Sequence, residues 1–158
     1  MVLGFGVKFI YDLASKANTL HDLTLKDLDA RIGSLVCEGS ERACIGIDKK
    51  TIEKNKYDVF GLSIINILDR QDFDIQVSPA TPAGYKKNND PILSSLTIEP
   101  TYRSVTIDRN AEKNVGIGIE VPASAEPGTY IFNVDIWAFV NGARQKYVST
   151  QKIYVEVP

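Results

Sequence analysis

Apolar and polar residues alternate between positions 114 and 140, and this period of two predicts a pair of half-buried strands. Two runs carry the alternation, and their apolar members are Val115, Ile117, Ile119 and Val121, then Tyr130, Phe132, Val134 and Ile136. Between them, Pro127 and Gly128 supply a turn, because proline fixes φ and glycine tolerates positive φ. The stretch therefore predicts an antiparallel pair at the centre of a β-sandwich.

Further alternating or wholly apolar runs predict short strands through the rest of the chain, at 34–37, 43–47, 57–66, 73–78, 96–99 and 103–107. The charged stretch 49–56 is interpreted as a connector or a single helical turn, and the Pro- and Asn-rich stretch 79–91 as the longest loop. An Asn141-Gly142 turn precedes a closing segment at 144–157. About eight strands at this spacing predict a mainly β protein, an antiparallel β-sandwich of immunoglobulin type.

The first 33 residues instead show helical periodicity. Apolar side chains recur three or four residues apart and define an assembly stripe, which comprises Leu3, Val7, Ile10, Leu13, Ala14 and Ala17. Thr24 with Asp27 forms an imperfect capping box that restarts the helix, and Gly33 is a stop signal. The predicted division is an amphipathic helix at 1–33 and a sandwich at 34–158. The stripe either packs on its own domain or forms a coiled-coil or bundle surface for other subunits.

The composition of the chain limits the classes of partner that it can bind. The formal net charge of -2 leaves no basic excess for neutralising phosphates, so we expect no nucleic-acid partner. No run of 18 apolar residues exists in the sequence. The apolar opening, MVLGFGVKFI, is too short for a spanning segment. It is either an ordinary start or the tail of a trimmed hydrophobic segment, in which case the N-terminus lies near a membrane.

Cys37 and Cys44 bracket a polar six-residue loop, which predicts a hairpin tip closed by a disulfide. A buried pair of free thiols and a metal site are the alternatives, and a metal would need further ligands beyond the distant His21. A disulfide favours an oxidising compartment, although the cytosol of hyperthermophiles also sustains disulfides.

Residues capable of catalysis or metal binding are sparse. Asp69, Asp72 and Asp74, and the tip at 88–90, offer oxygens to calcium but lack an EF-hand arrangement, so we interpret them as solvated surface. His21 has no nucleophile in a recognisable motif and is interpreted as a polar helix residue. Since no GxSxG, HExxH, P-loop or CxxC motif occurs, we expect neither an enzyme nor a cofactor.

One surface is a candidate for binding. If Tyr130 and its apolar neighbours face the core, Ile131, Trp137 and Phe139 face outward, and Tyr154 on the last strand joins them. Three interpretations are open for this candidate interaction face: the helix or a loop covers it, another subunit binds it, or it is a platform for a sugar or other ligand.

Two motifs carry a resemblance to a known family: YDVFGLSIIN at 57–66 and IEVPASAEPGTY at 119–130. Over about residues 43–158, the chain resembles immunoglobulin-like cell-surface domains of archaea, found in secreted and S-layer-associated proteins. The amphipathic front end is similar to archaeal type IV pilin-like subunits, including archaellum-associated ones. That resemblance implies that the helix packs into a filament core or anchors in the membrane while the sandwich faces outward.

We therefore expect a non-enzymatic protein outside the cytoplasmic membrane, acting as a structural or adhesive surface subunit. Self-association or contact with other filament or S-layer subunits would run through the assembly stripe. The alternative is a cell-surface binding or anchoring module, which would hold an S-layer protein or a carbohydrate on the candidate interaction face.

Overall fold

A computed structural model describes residues 23–32 and 42–158. The assembly stripe, His21, Gly33, Cys37 and the predicted strand at 34–37 lie outside the described residues, as does the predicted domain boundary. The elements follow in order: α1 Leu25–Ala30, β1 Ala43–Ile45, β2 Lys49–Thr51, β3 Lys56–Ile65, β4 Gln71–Tyr85, β5 Pro91–Ile92, β6 Thr97–Glu99, β7 Tyr102–Ile107, β8 Glu112–Val121, β9 Gly128–Val140, β10 Ala143–Lys146 and β11 Gln151–Val157.

The strands form two sheets that enclose one core. The smaller sheet has the order β1-β3-β8-β6. The larger has the order β2-β11-β9-β4-β5, with β10 beside β9 and β7 beside β4. The inner faces contribute a shared cluster of buried side chains, the largest of which include Phe60, Phe73, Tyr130 and Phe132. The mainly β sandwich is confirmed, and the described residues form eleven strands rather than about eight.

The two strands at the centre of the sequence do not form the predicted hairpin. β8 pairs with β3 and β6, whereas β9 pairs with β4, β10 and β11 in the opposite sheet. The chain crosses from one sheet to the other between Val121 and Gly128. The Tyr130 hydroxyl donates to the Glu126 carbonyl oxygen at 2.7 Å, which pins this crossing. A tyrosine whose hydroxyl binds the backbone at such a crossing, a tyrosine corner, is a feature of immunoglobulin-like sandwiches. The division of the strands is also immunoglobulin-like, with β3 and β8 in one sheet and β4, β9 and β11 in the other.

Three other predictions of element type need correction. The charged stretch 49–56 contains β2, which pairs in parallel with β11 and places Lys50 opposite Val155. β4 continues through the predicted loop as far as Tyr85, with a register shift between Pro79 and Gly84. The closing segment is two strands, β10 and β11. The Asn141-Gly142 turn is confirmed: it joins β9 to β10, and both of its residues have positive φ.

The helix α1 begins where the capping box predicted. The Thr24 hydroxyl accepts from the Asp27 amide, and the Asp27 carboxylate accepts from the Thr24 amide, both at 3.1 Å. The hydrogen bond from the Thr24 backbone amide and then the Thr24 side chain lower the pKa of the Asp27 carboxyl. The helix has six residues, so the structure supports the predicted helix over 1–33 only at Leu25–Ala30.

α1 packs on the outer face of the smaller sheet. Leu28 is fully buried and clusters with Leu23 and with Val59 of β3. A Cβ at Gly116 would lie 2.4 Å from the Leu28 carbonyl oxygen, so glycine is what lets the helix backbone lie this close to β8. β3 is therefore buried on both faces from Val59 to Ile64. No helix within the described ranges 23–32 and 42–158 is long and apolar enough to cross a membrane.

Candidate functional site

The candidate interaction face lies on the outer side of the larger sheet. Along β9, the even-numbered residues from Gly128 to Ala138 are buried, and the odd-numbered ones from Thr129 to Trp137 are partly exposed. The predicted inward positions Tyr130, Phe132, Val134 and Ile136 are all buried, which confirms the alternation. Phe139 continues the outer face with 40% of its surface exposed.

Trp137 is at the centre of a charged cluster on this face. The Arg144 guanidinium carbon lies 4.4 Å from the Trp137 ring centroid, and the Lys146 nitrogen lies 5.8 Å from it. Both cations come from β10, which the Asn141-Gly142 turn folds back alongside β9. Asp74 of β4 lies opposite Trp137 on the other side and pairs with Arg144 at 3.5 Å. The Trp137 ring therefore makes cation–π contacts with two side chains of its own chain.

The rest of the Trp137 environment is polar as well. The Tyr102 hydroxyl donates to Asp74 Oδ1 at 3.0 Å, and this hydrogen bond is the main cause of the raised pKa of Tyr102. The indole Nε1–H is buried and has no hydrogen-bond partner among the described residues.

A polar belt separates this cluster from the other two predicted members of the face. Asp135 accepts from Lys146 at 2.8 Å and from Thr150 at 2.5 Å. Beyond it, Lys152 donates to Asn133. Burial raises the pKa of Asp135, but the hydrogen bonds from Lys146 and Thr150 outweigh it, so the pKa lies below its usual value. The polar side chains of the belt are engaged with one another, so the belt offers little to an apolar partner.

Ile131 and Tyr154 lie on the far side of the belt, directly opposite each other on β9 and β11. They are six positions from Trp137 along β9, which is about 20 Å in an extended strand. The structure therefore brings Trp137 together with Phe139, and Ile131 together with Tyr154, as two separate patches. The contacts of Arg144, Lys146 and Asp74 with Trp137 were missed by sequence reasoning, because only the registers of β10 and β4 against β9 place these residues beside the indole.

Each of the acidic residues considered for calcium binding has a hydrogen-bond or ion-pair partner of its own. Asp69 pairs with Arg109, Asp72 accepts from Thr106, and Asp74 binds Tyr102 and Arg144. Asn88 and Asp90 hydrogen-bond to each other at the β4–β5 turn. Within the described part of the chain, no three His, Cys, Asp or Glu residues are grouped so that they would hold a metal.

A cleft of about 380 Å³ opens at one end of the sandwich, where β4, β9 and β11 meet. Tyr85, Lys86 and Lys87 line one side, and Thr129 and Glu156 another. Lys86 is held by Glu126 at 3.0 Å, and this contact raises the pKa of Lys86. The cleft was not among the predicted sites, since its lining comes from four separate stretches of sequence.

Of the two cysteines, Cys44 lies half-buried on β1, opposite Ser63 of β3. No described cysteine is free. Because Cys37 lies outside the described residues, its pairing with Cys44 stays a prediction.

No known protein family matches the chain, and no curated protein does. Solved structures that it resembles include a PapD-like domain of human CEP192, with 14% identity, a TM-score of 0.45 and coverage of 80% of this chain and 93% of that one. The apo-form Calx CBD1 domain has 10% identity and a TM-score of 0.46, over 74% and 96% of the two chains. The Salmonella enterica SafA pilin in complex with the SafB chaperone has 10% identity and a TM-score of 0.39, over 73% and 54%. At these values, the likenesses carry no argument about function.

Proposed function

We propose that this protein is a non-enzymatic structural or adhesive subunit of the cell surface, a pilin-like component of an archaeal filament that functions outside the cytoplasmic membrane. Its assembly stripe, from Leu3 to Ala17, would join subunits, and Trp137 with Phe139 would provide a second contact. The observation that supports a contact surface most directly is the Trp137–Arg144 pair on an outward sheet face.

The composition of this cluster fits a protein partner. Tryptophan, tyrosine and arginine are the side chains that concentrate binding energy at protein interfaces. Here Trp137, Tyr102 and Arg144 lie within one network, with an exposed Phe139 beside them. Stacking of a sugar on the same side of the indole would require displacement of Arg144, so the cluster favours a subunit over a carbohydrate.

The filament proposal is tested by electron microscopy of cells that produce the protein, with an antibody raised against residues 43–158. Gold along filaments is the expected result, whereas label confined to the cytoplasm would exclude the proposal. A Leu3→Glu, Ile10→Glu double variant should abolish assembly. Lys16→Glu, on the opposite side of the predicted helix, is the matched control and should assemble normally.

A second function is a binding or anchoring module for an S-layer protein or a carbohydrate, favoured by the exposed Phe139 and by the separate Ile131–Tyr154 patch. Its test is capture of purified S-layer protein and cell-wall polysaccharide by the wild-type protein and by Trp137→Ala. Loss of capture in Trp137→Ala with assembly intact would favour the module. Loss of assembly with capture intact would favour the filament subunit.

A further inference from the structure

Strand β7, Tyr102–Ile107, is the outermost strand on one side of the larger sheet. It pairs with β4 over six consecutive residue pairs, from Gln71↔Ile107 to Gln76↔Tyr102. In residues 23–32 and 42–158, no strand pairs with its other edge. A strand in this position presents a row of backbone donors and acceptors that another strand can take up.

The remaining edge strands are short or carry charge. β1 and β6 have three residues each, and β5 has two. β2 and β10 have three and four residues, and their cations Lys49, Arg144 and Lys146 keep 41–59% of their side chains exposed even though each is ion-paired. Charged side chains and short length are the usual means by which proteins prevent edge-to-edge pairing. β7 has neither form of protection along its exposed positions.

The one charge within β7 is neutralised inside the molecule. The Arg103 side chain is only 10% exposed and forms an ion pair with Asp29 of α1 at 2.8 Å. The exposed positions Tyr102, Ser104 and Thr106 are uncharged. The hydroxyl groups of Tyr102 and Thr106 also donate hydrogen bonds to nearby carboxylates, Tyr102 to Asp74 and Thr106 to Asp72.

The sequence of β7 is compatible with its own copy. Antiparallel pairing centred on Ser104 places Ser104 opposite Ser104, Tyr102 opposite Thr106 and Arg103 opposite Val105. No like charges then lie opposite one another. We propose that β7 is a homotypic docking strand, at which a second copy of this chain adds its own β7 about a two-fold axis and makes the larger sheet continuous across both copies. This contact uses none of the residues of the assembly stripe.

Cross-linking of the full chain tests the register. Ser104→Cys places two thiols directly opposite each other across the proposed axis, so a glutathione redox buffer should convert it to a disulfide-linked dimer. Thr106→Cys is the matched control. It lies on the same strand with the same exposure, but its nearest copy is four positions away, about 13 Å. Dimers from Thr106→Cys but not from Ser104→Cys would overturn the proposal, as would equal linking of both.

Sedimentation equilibrium tests the association itself without any cysteine added. Because one strand pair buries a small area, we expect the wild-type chain to dimerise weakly, with Kd of roughly 0.01–1 mM. Ser104→Lys should raise Kd at least tenfold, whereas Ser124→Lys, at an exposed turn position between β8 and β9, should leave it unchanged. A wild-type chain that stays monomeric at about 1 mM, or identical Kd values for both variants, would exclude the proposed contact.

Discussion

The carboxylate of Asp29 on α1 accepts two hydrogen bonds from the guanidinium of Arg103 on β7, at 2.8 and 3.2 Å. The same carboxylate accepts from the Gly116 amide of β8 at 2.7 Å. β7 belongs to the larger sheet and β8 to the smaller, so Asp29 connects the two sheets across their open side. The Asp29 side chain is 23% exposed and the Arg103 side chain is 10% exposed.

Replacing Arg103 with methionine should lower the free energy of unfolding by about 2 kcal/mol, because Asp29 keeps its charge in a partly buried site without its partner. Urea denaturation measures the change. The control is Arg109→Met, which removes an ion pair with Asp69 whose side chains are 64% and 90% exposed. That pair should contribute less than about 0.5 kcal/mol. Equal effects of the two substitutions would contradict the proposed connection.

Removing the Tyr130 hydroxyl should loosen the crossing between the sheets. Tyr130→Phe keeps the buried ring but loses the hydrogen bond to Glu126, so we expect a loss of about 1 kcal/mol at neutral pH. Tyr154→Phe, on the outer face of β11, is the control and should change stability by only a few tenths.

The same residue predicts an alkaline effect. Burial raises the pKa of Tyr130 above its usual value near 10. Its stabilising contribution is therefore complete below about pH 10 and is lost as pH rises through the raised pKa. Unfolding curves across this range should decline less steeply for Tyr130→Phe than for the wild type. Parallel curves would show that Tyr130 does not govern the alkaline limb.

Asp135 predicts the opposite dependence on the acid side. Its pKa is lowered in the folded protein, so its contribution is present above the unfolded value of about 3.9 and is lost as pH falls through the folded value. Asp135→Asn should reduce stability by about 1 kcal/mol at pH 7. It should also flatten the decline in stability below about pH 4. Asp108→Asn, whose ion pair with Arg70 is largely exposed, should leave the acid limb unchanged.

The packing of α1 against β8 is tested by a substitution at Gly116. An alanine there would place its Cβ 2.4 Å from the Leu28 carbonyl oxygen, so the helix must shift. We expect a loss of about 1–3 kcal/mol and faster proteolysis near α1. Proteolysis monitored by mass spectrometry distinguishes this outcome from general unfolding, because cleavage would then begin around 23–32. Unchanged cleavage with unchanged stability would mean that the helix does not depend on this glycine.

The predicted disulfide between Cys37 and Cys44 is tested by mass. The non-reduced chain should be lighter than the reduced chain by two hydrogen atoms, and reduction should lower stability by about 2–3 kcal/mol in the chain-entropy account. Equal masses would show that both thiols are reduced and would remove the argument for an oxidising compartment.

Sequence reasoning identified most strands because their burial is one-sided. The alternation along β9 follows directly from a sheet with one face in the core, and the capping box located the start of α1 from two residues. An alternation with a period of two does not specify which of the two sheets a strand joins. β8 and β9 show the alternation of a hairpin, yet the Pro-containing segment between them is long enough to span the roughly 10 Å between sheets.

The other errors have physical causes as well. β2 is three residues long and rich in lysine, and its pairing with β11 is long-range in sequence, so no local pattern indicates it. Pro79 and Pro82 suggested a loop, but the irregularity between Pro79 and Gly84 accommodates them within β4. At the candidate interaction face, Arg144 and Lys146 are seven and nine residues from Trp137 in sequence. Their contact with the ring depends on the register of β10 against β9.

The parallel pair β2–β11 has a mechanical consequence. Three residue pairs join these strands, from Tyr154↔Lys49 to Glu156↔Thr51, and the Lys49–Glu156 ion pair at 2.9 Å reinforces them. A pull on the chain ahead of Lys49 and beyond Val157 draws parallel strands in opposite directions along their length. The ladder bonds then resist together in shear instead of opening one after another. The pair β2–β11 therefore resists a force applied between Lys49 and Val157 better than a hairpin that opens one hydrogen bond at a time.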